Sequence, residues 1–196
     1  MQVKTVINSF FTSCTYVIKC TEKDGWIVDC GDVVPLMPIL EGMQLGGVLL
    51  THAHFDHIYG LNELLSRFPE TFVYTNKSGA EALLNDKKNM SRYHETPFVF
   101  KYPYNIRIVD DGDEINLGNE TKAHVVATPG HHPSCLTFIV GDAIFTGDAF
   151  IPGVKVVTNL PKGNKLLAEQ SVELIKTLAI GKTIYPGHPI DNKTYD

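Results

Sequence analysis

The sequence predicts an α/β fold of mixed β-sheets flanked by helices, of the α+β kind rather than a doubly wound parallel sheet. Two observations predict it. Short runs rich in β-branched and aromatic residues follow one another as hairpins and meanders, with helical runs between and after them. Four of these runs also lead, in chain order, to a histidine or an aspartate: "VLLT" to His52, "VVATPG" to His131, "AIFTG" to Asp148 and "TIYPG" to His188. A sheet that delivers donor side chains from one edge reads this way, with loops carrying the donors on a rigid scaffold.

The elements follow in order. "VKTVINSF", "CTYVIKC" and "GWIVDCG" are strands, and "EKDG" turns the second into the third. "GGVLLT" is an apolar run short enough for a strand buried on both faces. In "IYGLNELLSRF", Ile58, Leu61, Leu64, Leu65 and Phe68 recur at helical spacing. "TFVYT" is a strand, and "SGAEALLND" starts a helix with Ser78 and Glu81 in capping-box positions. The stretch from Lys87 to Tyr104 is irregular. "IRIVDDGDEINLG" gives two strands around an acidic Asp-Gly turn, "KAHVVATPG" a strand with a Pro-Gly break, and "CLTFIVGDAIFTGD" a hairpin turning at Gly141-Asp142. "IPGVKVVTNLPKGN" is loop. "KLLAEQSVELIKTLAI" is an amphipathic helix whose face is drawn through Leu166, Leu167, Gln170, Leu174 and Leu178, and "KTIYPGHP" is a last short strand.

Composition bounds the partners. A chain of 196 residues fits a single domain, 1–196, with an ordinary core at 43% hydrophobic residues. A net charge of −5 argues against a nucleic-acid partner. No apolar run is long enough to cross a bilayer, so no membrane partner is expected. The N-terminal stretch "MQVKTVINSFFTSCTYVIKC", its apolar residues broken up by Asn8, Ser9, Thr12, Ser13 and Thr15, lacks a secretory leader's layout, so a cytoplasmic protein is expected. Cys14, Cys20, Cys30 and Cys135 show no CxxC spacing and are expected as free thiols. The sequence sets no oligomeric state.

Chemistry concentrates in "LLTHAHFDHIYG", Leu49 to Gly60. On extended backbone His52 and His54 point the same way. Asp56 and His57 come as the chain turns into the next helix and face a second point. With His131, Asp148 and His188 the donors are five histidines and two aspartates. That is too many for one tetrahedral zinc, and suits two ions with an open position for water. His94, His124 and His132 fit ordinary hydrogen-bonded histidines.

"THAHFDH" resembles the HxHxDH signature of the metallo-β-lactamase superfamily. "WIVDCGD", "VDDGDEINLG", "ATPGHHPSC", "AIFTGD" and "YPGH" are similar to further segments of that family, in the family's order and over nearly the whole chain. The resemblance implies a four-layer αββα sandwich with metals at one edge of the two sheets. It assigns His52, His54 and His131 to one ion, Asp56, His57 and His188 to the other, and Asp148 as the bridge. Asp29 would support the ligands from behind. The implied cofactors are two divalent ions, Zn2+ first, with Fe or Mn as alternatives.

The implied reaction is hydrolysis of a small-molecule ester, thioester or lactone by metal-bound hydroxide, with Asp56 as the catalytic residue that orients the nucleophile and carries a proton to the leaving group. A glyoxalase-II-like thioesterase is the nearest form. The eight residues after His188 leave no room for the helical domain with which glyoxalase II holds glutathione, which weighs against glutathione itself. The alternative is a persulfide dioxygenase using one iron held by two histidines and an aspartate. β-Lactam hydrolysis and ribonuclease activity stand below both. The sequence departs from the family at His132 and at Ser134-Cys135: His132 becomes a candidate substrate contact and Cys135 a packing residue. Phe98, Phe100, Tyr102, Tyr104, Phe150 and Lys155 are candidates to shape the pocket, because the Lys87–Tyr104 and Phe150–Lys165 stretches should flank the metals, and the aromatic ones among them fit a core role equally.

Overall fold

The structure, a computed structural model, describes residues 1–190. Strands β1 (Gln2–Ile7), β2 (Cys14–Lys19), β3 (Asp24–Val28), β4 (Gln44–Leu49), β5 (Phe72–Thr75) and β6 (Ile106–Ile108) form one sheet in that order. The first three run antiparallel to one another, and β3 to β6 run parallel. Strands β7 (Glu114–Gly118), β8 (Thr121–Ala127), β9 (Leu136–Val140), β10 (Ala143–Gly147) and β11 (Thr183–Pro186) form the second sheet in the order β11-β10-β9-β8-β7. Only β10 and β11 are parallel there.

Period-2 alternation sorts the strand residues between cores. Tyr16, Ile18, Trp26, Val28 and Leu49 meet Val125, Phe138 and Phe145 between the sheets, while Val17, Ile27 and Val48 point to the other face of the first sheet. Each such large side chain contributes about 1.5–3 kcal/mol by leaving water. The aromatic residues with polar tips also place them: Trp26 Nε1–H donates to the Leu117 carbonyl (3.0 Å) and the Tyr16 hydroxyl to that of Pro186 (2.6 Å).

Helices α1 (Met37–Leu40), α2 (Leu61–Arg67) and α3 (Lys77–Leu83) cover the first sheet with Leu40, Leu61, Leu64, Leu65, Ala82 and Leu83. Helix α4 (Lys165–Leu178) covers the second sheet through Ile175, against Ile144 and Ile184. The layers are therefore helix, sheet, sheet, helix, the αββα sandwich that the motifs imply. No helix among the described residues is long and apolar enough to cross a membrane.

Two readings change, and the structure adds two features. The buried face of α4 is Ala168, Ser171 and Ile175, whereas Leu166, Leu167 and Leu174 are exposed. Small residues win here because the helix start lies against Gly130: any Cβ there would collide with Ala168, and Ser171 Oγ–H donates to the Pro129 carbonyl at 2.7 Å. Helix α3 is capped by Asn76, whose side chain accepts from the Gly79 amide at 2.9 Å, two residues before the expected Ser78 cap. The acidic Asp-Gly turn joins strands of different sheets, so β6 and β7 are not partners. A short helical passage, Val34–Leu40, had no periodic signal to reveal it.

Candidate metal centre

Parallel pairing of β3 with β4 and of β10 with β11, and the antiparallel β9 between β8 and β10, bring the C-terminal ends of these five strands to one edge of the sandwich. Asp29 follows β3, His52 follows β4, His131 follows β8, Asp148 follows β10 and His188 follows β11. His54 is still extended (φ −73°, ψ 151°) before the helical turn Phe55–His57, so its ring returns to the side that His52 faces. That turn is tied to the end of β3: the Cys30 amide donates to the His57 carbonyl (2.8 Å) and the Gly60 amide to the Cys30 carbonyl (3.0 Å). Only glycine fits at 60, because a Cβ would run into the Gly31 carbonyl.

The seven donors converge. One ligand atom each of His52, His54 and His131 lie within 4.8 Å of one another, and so do those of Asp56, His57 and His188. Asp148 sits between the trios and divides its oxygens. Oδ2 lies 3.5 Å from His131 Nε2 and 3.9 Å from His52 Nε2; Oδ1 lies 3.5 Å from both His57 Nε2 and His188 Nε2. Asp56 Oδ2 is 3.4 Å from the same two nitrogens.

Acceptors behind the rings assign their tautomers. His57 Nδ1–H donates to Asp29 Oδ2 (2.8 Å), His131 Nδ1–H to the Val157 carbonyl (2.8 Å) and His188 Nδ1–H to the Phe11 carbonyl (3.0 Å). Each therefore turns its Nε2 into the pocket, and that of His131 lies 2.9 Å from His54 Nδ1. Asp29 is fully engaged, accepting also from the Thr51 amide (2.7 Å) and hydroxyl (2.6 Å). It holds the His57 ring by its Nδ1, and its carboxylate also lies within 4.8 Å of ligand atoms of His52 and His57.

Three buried atoms facing the pocket have no hydrogen-bond partner among the described residues: His52 Nε2, His57 Nε2 and Asp148 Oδ1. Leaving one such group unmet costs about 1–3 kcal/mol, so three in one place fit a cavity shaped for cations. Imidazole nitrogens with two carboxylates suit zinc, iron or manganese.

Electrostatics agree. Burial holds His52 well below its ordinary pKa and His54 down to about 3, with the neighbouring imidazoles adding to the effect. Burial opposes charge on His57 and His188 as well, but carboxylates reverse it: Asp56, Asp148 and Asp29 hold His57 well above the usual range, and Asp148 and Asp56 raise His188 to about 9. The imidazoles of His57 and His188 in turn overcome burial at Asp56, which stays far below the usual carboxylate range, and at Asp148, held at about 2. The protons on the second trio occupy the place of positive charge, and a cation there would displace them.

Solvent reaches the centre at Asp56, Asp148 and His188, whose side chains are 14%, 15% and 23% exposed, whereas those of His52 and His57 are fully buried. An aromatic group stands beside this opening. His94 stacks on Phe55 (4.8 Å, 23°) and meets Phe10 edge-on, and Phe11, 65% exposed, follows in sequence.

The other expected residues scatter. His132 is buried, its ring centroid 4.9 Å from that of His54, and Cys135 packs against Ile144 and Ile175. Phe98 and Phe100 belong to the core under the first sheet, Tyr102 packs on it, and Tyr104 is exposed, so none of the four shapes the metal pocket. The reason is hydrophobic: that stretch closes the core over α3, with the Phe100 amide bound to the Leu83 carbonyl. Phe150 lines a groove against α4, and Lys155 lines both that groove and a small cavity of about 30 Å³ that touches His131 and Asp148. His124 lies on the surface beside Glu114. Sequence reasoning missed Thr51 and the carbonyls of Phe11 and Val157. Thr51 was visible as the polar residue between an apolar strand and His52, but a carbonyl carries no residue signal.

Comparison with known proteins points the same way. The family model described as the metallo-beta-lactamase superfamily matches residues 8–188. A hydroxyacylglutathione hydrolase of Hydrogenovibrio crunogenus is 29% identical over 184 residues, which cover 89% of this chain and 58% of that relative, so the chain spans little more than half its length. Among solved structures, the BLEG-1 B3 metallo-beta-lactamase superposes with a TM-score of 0.85 at 23% identity, over 96% of this chain and 92% of that one. A di-iron-bound form of TTHA1623 superposes with a TM-score of 0.80 at 22% identity, over 95% and 92%. With its motifs, layers and family match in agreement, this chain belongs to the metallo-beta-lactamase superfamily.

Proposed function

We propose that the chain is a dinuclear metal-dependent hydrolase of small esters, thioesters or lactones. One observation carries this reading: Asp148 presents one carboxylate oxygen to each trio of donors. His52, His54 and His131 would hold one ion, Asp56, His57 and His188 the other, and Asp148 both, with Zn2+ the first choice. Divalent ions in such a site supply a hydroxide nucleophile at neutral pH and polarise a carbonyl.

The chain's own residues do the rest. Asp56 stays ionised on the open side, so it can accept a hydrogen bond from the attacking water and pass a proton to the leaving group. Asp29 and the carbonyls of Phe11 and Val157 fix three rings, which keeps the lone pairs aimed without reorganisation. The hydroxyacylglutathione hydrolase likeness supports a thioester among the substrates. Four free cysteines fit a reducing compartment such as the cytoplasm.

Elemental analysis with a panel of esters, thioesters and lactones tests the proposal. Two zinc ions per chain with chelator-sensitive hydrolysis is the expected result. One iron per chain with oxygen uptake on a persulfide, and no hydrolysis, would replace it with the dioxygenase reading.

A further inference from the structure

His132 touches two places. Its ring lies against His54, and it also lines a cleft of about 340 Å³ between α3 and the loop at Pro161-Lys162. Two donors converge on its Nδ1, the Ser134 hydroxyl (2.6 Å) and the Ser134 amide (3.2 Å). Its proton is therefore on Nε2, which is left as a hydrogen-bond donor. Ser134 Oγ in turn accepts from the Ala53 amide at 3.1 Å, which ties this wall to the backbone between His52 and His54.

The rim is positively charged in a protein of net charge −5. Lys87, Lys88 and Lys162 line the cleft, with Glu81 as the one carboxylate among its lining residues. Lys88 is already paired with Glu81 at 2.7 Å. Neither Lys87 nor Lys162 makes an ion pair among the described residues, so the rim keeps an excess of two charges. The backbone presents Lys162 in a strained conformation: its φ of +72° lies in the left-handed region that residues with a side chain avoid. The turn is held by bonds on both sides, Gly163 N–H to the Leu160 carbonyl (2.9 Å) and Asn164 N–H to the Gly130 carbonyl (2.8 Å).

We propose that this cleft binds an anionic group of the substrate, a carboxylate or a phosphate, through Lys87, Lys162 and the His132 N–H. The site then selects negatively charged acyl compounds over neutral ones. This rests on the hydrolase reading above, so the test has one arm that needs turnover and one that does not.

In the first arm, zinc-reconstituted enzyme is assayed on p-nitrophenyl hemisuccinate and on the neutral p-nitrophenyl valerate at low salt. The wild type should prefer the charged ester in kcat/KM. The K87Q/K162Q variant should lose about threefold to tenfold of that preference, as expected for two solvent-exposed charges, and added salt should erode it in the wild type. A K4Q/K19Q variant, with the same change in net charge away from the cleft, should keep it. No preference in the wild type, or an equal preference in K87Q/K162Q, overturns the proposal.

In the second arm, succinamate and methyl phosphate are titrated into the wild type and followed by backbone amide shifts. Saturable shifts at Lys87, His132 and Lys162 that vanish in K87Q/K162Q support the cleft whether or not any ester is hydrolysed. Response to one ligand alone names the anion. Response to neither overturns the proposal.

Discussion

Replacing Asp29 by Asn tests how the centre is held. Asp29 is 2% exposed and sits at φ +55°, a conformation that Asn tolerates, so the backbone need not move. The amide is the same shape as the carboxylate but has only one acceptor oxygen. That oxygen can keep the Thr51 amide, now 2.7 Å away, and the Thr51 hydroxyl can turn to accept. His57 has no such freedom. Its Nδ1–H, 2.8 Å from Asp29 Oδ2, would face an NH2 group. The ring must take the other tautomer, which puts its proton on Nε2, where the pocket needs a lone pair. Losing one hydrogen bond to a buried charge is worth about 1.5–3 kcal/mol. Supporting groups of this kind typically change metal affinity by about 10- to 100-fold. Zinc competition against a chromophoric chelator reads it directly: one of two equivalents should weaken by that factor in D29N, and the equivalent at His52, His54 and His131 should not. Wild-type affinity for both equivalents, or an equal fall in both, would refute the reasoning.

Asp148→Ala should take metal content below two per chain, whereas His132→Ala should keep two; equal occupancy by elemental analysis would remove the bridge. In the core, Ile175→Ala should cost about 2–5 kcal/mol in urea unfolding, because a fully buried side chain leaves a cavity. Leu166→Ala, at a position 64% exposed, should stay within about 0.5 kcal/mol. The metal-free protein should respond to pH in a set direction. His188 is raised from 6.5 to about 9, so its stabilising proton is fully present below pH 6.5 and lost as pH rises through 9. The Tm of chelated protein should fall over that window, and zinc affinity should rise as the competing proton leaves. A Tm that climbs between pH 6.5 and 9 would contradict the charge assignment.

Much of the centre was legible because its donors are side chains with distinctive chemistry at strand ends. His52, His131, Asp148 and His188 each follow a readable apolar strand, so a shared edge could be inferred before any pairing was known. What supports them was not legible. The Val157 and Phe11 carbonyls that orient His131 and His188 come from loops, and any residue could supply them. The face of α4 was misjudged because hydrophobicity marks Leu166 and Leu174, while close approach to Gly130 demands Ala168 and Ser171. The aromatic run at Phe98 and Phe100 suggested a pocket wall, but the chain uses it to close a core. The Asn76 cap was overlooked because Ser78 and Glu81 mimic a capping box two residues further along the same helix.

The most direct measurement is calorimetric titration of zinc into the metal-free wild type, followed by a thioester assay on the same sample. Two equivalents should bind, with proton release and with hydrolysis appearing as the second site fills. Binding of one equivalent or none, or thioester hydrolysis that persists without metal, would contradict a two-ion centre built from these seven side chains.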